Sequence, residues 1–143
     1  MREILFCGKR KDNREWVCGD LVHSWENMNA KPDIQIHNNM GYFDVIPETV
    51  GECTSVPDKN GVLIFEGDII KTHYANTKKN DFIERVVFRN GRFCSMYEFP
   101  DGGKMWANLP DSIPHLPWDK TPYMEWCEVI GNIHDNSALL KGE

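Results

Sequence analysis

A chain of 143 residues, 41% hydrophobic, 11% aromatic and 27% charged, has the means to bury a real core and is excluded from the disordered class. Its 16 Lys and Arg against 22 Asp and Glu leave a formal charge of -6, which opposes non-specific attraction to a phosphate backbone or an anionic membrane surface, so the short runs Lys9-Arg10-Lys11 and Lys78-Lys79 read as solvated. Five cysteines, Cys7, Cys18, Cys53, Cys94 and Cys127, lack CxxC spacing and read as small buried hydrophobes of a reducing compartment; with no apolar run near the length of a membrane span, the expectation is a soluble, intracellular protein.

Ile4-Leu5-Phe6 opens as a short strand, and a polar turn around Asp12-Asn13 leads to a second, Trp16-Val17-Cys18-Gly19-Asp20-Leu21-Val22, in which Gly19 marks a bulge or a close-packing point. Ile34 and Ile36 alternate within Asp33-Ile34-Gln35-Ile36-His37, predicting an edge strand closed by Asn38-Asn39-Met40-Gly41. Tyr42-Phe43-Asp44-Val45-Ile46 starts another, which Pro47 stops or places at an edge. Residues 49–56 read as extended with a bend. The fourteen residues 58–71 then spell turn, strand, turn and strand, because Asn60-Gly61 and Gly67-Asp68 supply low-cost reversals around Val62-Leu63-Ile64-Phe65 and ahead of Ile69-Ile70.

A polar loop over 76–81 precedes a strand from Phe82 to Phe88, with Val86 and Phe88 on one face and Val87 on the other. Asn90-Gly91 predicts a type I′ turn into Arg92-Phe93-Cys94-Ser95-Met96-Tyr97. Between 101 and 122, four prolines with Gly102 and Gly103 argue for sparse regular structure, while Trp106, Leu109, Ile113, Leu116 and Trp118 are too apolar for a solvated linker. An irregular flap or short helical turns covering one end of the core follow. Strand character resumes at Trp126-Cys127-Glu128-Val129-Ile130, and Asn136 or Ser137 caps a last turn carrying Leu139 and Leu140. These elements predict one mainly β domain over 1–143, a compact antiparallel sheet or small SH3-like barrel with irregular insertions and minor helix.

The wording of Met1-Arg2-Glu3-Ile4-Leu5-Phe6, Trp16-Val17-Cys18-Gly19-Asp20, Val45-Ile46-Pro47-Glu48-Thr49-Val50-Gly51, Asp58-Lys59-Asn60-Gly61, Phe65-Glu66-Gly67-Asp68-Ile69-Ile70 and Glu128-Val129-Ile130-Gly131-Asn132-Ile133-His134-Asp135-Asn136 resembles, over nearly the whole chain, the YopX family of bacteriophage and prophage proteins. The resemblance implies a phage or mobile-element origin, a bacterial host cytoplasm, a β-rich domain with barrel-like character and self-association; it implies no enzyme activity, cofactor or catalytic residue. The family pattern Thr-Gly-Leu-x-Asp is replaced here by Thr54-Ser55-Val56-Pro57-Asp58, and loss of that glycine implies a different turn.

The residues themselves carry no coherent reaction site. His23, His37, His73, His115 and His134 are dispersed without ligand spacing, so no metal is expected, and no Walker A or GxGxxG sequence cradles a cofactor phosphate. Glu66 and Asp68 could serve acid-base chemistry near His73, but a carboxylate at Asp68 has a sufficient role in binding turn N–H groups. Cys127 with His134-Asp135 makes no triad by proximity in sequence, and Cys127 reads as packed in the sheet. Aromatic residues give the better lead, with Trp106, Trp118, Tyr123 and Trp126 as a protein-interface set favouring self-association or an unidentified protein partner. The alternative is a nucleic-acid-binding regulator using Arg85, Arg89 and Arg92. A small-molecule enzyme is the third reading, and it requires Glu66, Asp68, His73 and His134 to converge.

Overall fold

Residues 4–24, 33–74, 81–109 and 124–141 are described by the structure, a computed structural model. Nearly all regular structure among them is antiparallel strand, and the chain divides into two compact units at Ser55 and Val56. No helix among the described residues is long and apolar enough to cross a membrane.

In the first unit, β1 (Phe6–Lys9), β2 (Trp16–Ser24), β3 (Asp33–Asn38), β4 (Gly41–Asp44) and β5 (Gly51–Pro57) lie in the order β4-β3-β2-β1-β5. The strand carrying Ile34 and Ile36 is therefore internal, and β4 takes the edge; alternation reports which face a strand buries, not how many neighbours it has. Polar Lys9 extends β1 because both of its backbone groups are satisfied by the Ile46–Thr49 segment, its N–H donating to Thr49 Oγ1 at 2.8 Å and its carbonyl accepting from Ile46 N–H at 2.8 Å. Gly19 is a close-packing point, since a Cβ there would overlap the His37 carbonyl oxygen. Ile36 and Val45 are fully buried, with Val50 filling the space above Gly8.

Of the five cysteines, Cys53, Cys94 and Cys127 are free and buried as expected. Cys7 and Cys18 depart from that reading: they are opposite residues on β1 and β2, with Cα atoms 4.1 Å apart, and form a disulfide.

The second unit contains β6 (Leu63–Phe65), β7 (Asp68–Tyr74), β8 (Phe82–Arg89), β9 (Arg92–Glu98), β10 (Lys104–Asn108) and β11 (Met124–Asn132); the last five form a sheet in the order β10-β9-β8-β7-β11. Its order runs from one edge strand to another, so the described residues form an open sheet and not a closed barrel. Ile64, Ile70, Tyr74, Val86, Leu109, Met124 and Cys127 make the core. Positive φ at both Asn90 (53°) and Gly91 (81°) matches the expected type I′ turn. Part of the segment read as irregular is strand: Lys104-Met105-Trp106-Ala107-Asn108 has no period-two pattern, but pairing with β9 supplies its backbone partners. Residues 110–123, and most of the 76–81 loop, lie outside the described residues. The final turn is a 3-10 helix over Ser137–Lys141.

Ser55 occupies the position of the family-pattern glycine and keeps φ at 66°. That is the left-handed region, which a glycine adopts without the Cβ clash that serine carries. Replacement of Ser55 by glycine is expected to raise unfolding free energy by about 0.5–1 kcal/mol in urea titrations.

Candidate functional site

Antiparallel register determines which side chains share a surface. Arg85 faces Met96 and Met96 faces Trp106 across adjoining strands, while Arg89 opposes Arg92 beside the hairpin turn. Alternation places these residues on the surface opposite the core face that carries Val86, Ser95 and Ala107. All three arginines proposed from sequence are therefore on one face with Trp106. Arg89 stacks over the Trp106 ring at 3.8 Å, joining a residue from the nucleic-acid reading to one from the protein-interface reading. Arg85 is partly buried, and its Nε is shut off from solvent without a hydrogen-bond partner.

Trp126 lies on β11, at the opposite edge of the same sheet. Lys59 Nζ stands 4.2 Å from its ring centroid, and the His73 ring stacks on it at 5.3 Å. Trp106 and Trp126 are separated by three intervening strands and do not form one aromatic pocket. Trp118 and Tyr123 lie outside the described residues.

Of the acid and histidine candidates, Glu66, Asp68 and His134 lie around Gly67, and His73 stands apart. Asp68 Oδ2 accepts from Phe65 N–H at 2.8 Å, satisfying the turn as expected, and burial pushes its carboxyl up to about 6 against that hydrogen bond. His73 is five residues farther along β7, roughly 16 Å away in extended backbone; its Nδ1 is 2.9 Å from Asp81 and its Nε2 is 3.6 Å from Glu125. Glu66 is exposed, while His134 belongs to the turn beside Gly67. Burial pushes the Cys127 thiol up to about 11, aided by the negative charges of Asp58 and Glu84, which disfavours a thiolate at neutral pH. Among the described residues, no group of three or more His, Cys, Asp or Glu side chains is placed to hold a metal ion.

The antiparallel sheets, with Trp106 and Trp126 on opposite edge strands of one of them, define a β-rich protein. The chain belongs to the YopX family: residues 5–141 match the model described as YopX protein. It is accordingly a phage or prophage accessory protein whose family description specifies no molecular role. The crystal structure of protein EF1440 from Enterococcus faecalis is similar, with a TM-score of 0.52 and 20% identity over 98% of this chain and 99% of that one. That likeness supports the fold. A comparison with curated proteins finds no match.

Two acids with long-range structural roles escaped sequence reasoning. Asp58 joins its turn to β11, a pairing across 71 positions that local turn chemistry does not signal. Glu84 is 1% exposed and accepts from the Tyr74 hydroxyl at 2.9 and 3.0 Å. Its even-numbered place beside Val86 marks the inward face, but its charge masked the core position. Burial raises the Glu84 carboxyl, although hydrogen bonds from Ser95 and Tyr74 pull the other way. Folded Glu84 therefore retains its proton to higher pH than unfolded Glu84, and its contribution to stability falls as pH rises from the ordinary glutamate range. Glu84→Gln keeps an oxygen acceptor for Tyr74 without the buried charge. Denaturant titrations are expected to show the variant gaining on wild type between mildly acidic and neutral pH; a constant difference would contradict the assignment.

Proposed function

We propose that this YopX-family protein acts by protein association in the bacterial host cytoplasm, with β10 as its docking edge and a second copy of the chain as its first partner. The observation that carries this reading is the exposed edge strand. β10 pairs with β9, and among the described residues no strand pairs with its other side. Met105 and Trp106 are 39% and 37% exposed and, as successive strand residues, project to opposite faces. Backbone donors and acceptors bordered by apolar groups on both faces provide the means of strand addition. Exposed Phe88 and Phe99 enlarge the apolar surface on this sheet.

Nucleic-acid binding is the second reading because Arg85, Arg89 and Arg92 share a face. The acidic charge of the chain and the stacking of Arg89 on Trp106 favour protein association. Sedimentation across micromolar concentrations is expected to show a concentration-dependent dimer. Joint Met105→Lys and Trp106→Lys substitution should weaken it at least about tenfold while far-ultraviolet circular dichroism stays unchanged. A wild-type protein that remains at 16.6 kDa throughout would contradict the reading.

A further inference from the structure

We infer that Arg85 anchors a carboxylate-binding pocket for an acidic side chain of a protein partner. The pocket occupies about 50 Å³ and is lined by Ile83, Arg85, Met96, Glu98 and Leu140. Arg85 is the cation of this lining, its Nε is buried without a hydrogen-bond partner, and no ion pair to a described acid neutralises it. An unneutralised guanidinium that lines a pocket favours a bound anion. The guanidinium offers parallel N–H donors in a planar fork that matches the two oxygens of a carboxylate.

The rest of the lining selects the ligand class. Ile83, Met96 and Leu140 contact a short aliphatic stem. Glu98 adds negative charge to the same lining, which opposes a phosphate dianion more than a monoanionic carboxylate. An aspartate or glutamate side chain fits this combination. The inference rests on the protein-association reading for its biological source of carboxylate, and the pocket chemistry can be measured apart from it.

The direct experiment titrates the full chain separately with butyrate, inorganic phosphate and a short thymidine oligonucleotide. Nuclear magnetic resonance follows the Arg85 Nε–H signal and the Ile83, Met96 and Leu140 methyl signals. Butyrate is expected to shift these signals together and saturably. Arg85→Gln should weaken binding at least about tenfold, and Glu98→Gln should strengthen it through removal of like-charge repulsion. The Glu98 variant keeps the test informative if the Arg85 variant fails to fold. Absence of saturable butyrate shifts, or binding unchanged in a folded Arg85 variant, overturns the proposal. Tighter Arg85-dependent binding of phosphate or oligonucleotide also overturns it and supports the nucleic-acid reading. Butyrate binding by a strictly monomeric wild type retains the pocket but rejects self-association; dimerisation without butyrate binding rejects the pocket and retains self-association.

Discussion

The buried carboxylate of Asp58 is the constraint on which the second unit turns. One oxygen accepts from Asn60 N–H at 2.8 Å and Val62 N–H at 2.9 Å, closing the local reversal, and the other accepts from Val129 N–H at 3.0 Å on β11. Burial by itself would raise this acid, but the three backbone hydrogen bonds, with Lys59 nearby, hold it below the ordinary aspartate range. The ionised form is therefore structural. It stabilises the fold at neutral pH, and that contribution fades when acidification protonates the group.

This local bond network also shapes the sheet edge. Lys59 N–H donates to the Cys127 carbonyl at 2.9 Å, while its ammonium reaches the Trp126 ring and a 3.6 Å ion pair with Glu128. The edge bearing Trp126 is consequently anchored to a satisfied turn. At the other edge, Trp106 has the Arg89 stack but no corresponding network on the outer backbone among the described residues. That asymmetry gives β11 a structural role and is the ground for proposing β10 as the docking edge. Between them, Glu84 and Tyr74 place polar chemistry inside the core, so an acidic residue here is as much part of folding as Ile70 or Val86.

Short-range physics was the most legible part of the sequence. Asn90-Gly91 specified its turn because both positions require positive φ, and alternation around Val86 identified the inward face of β8. The internal position of β3 and strand pairing of β10 were not encoded by their own side-chain patterns; both depend on remote backbone partners. The same limit applied to the candidate site. Arg85, Arg89, Arg92 and Trp106 were recognisable as binding residue types, but their common face emerged only from the registers of three strands. Asp58 was visible as a turn residue, whereas its bond to Val129 required the return of a strand 71 residues away.

The most direct measurement is site-resolved amide hydrogen exchange of wild type and Asp58→Ala, accompanied by equilibrium unfolding. Loss of the carboxylate should selectively increase exchange at Val62 and Val129 and lower stability by about 2–4 kcal/mol through unsatisfied backbone donors. Unchanged protection of both amides with unchanged stability would contradict the claim that this buried acid fastens the turn to the sheet.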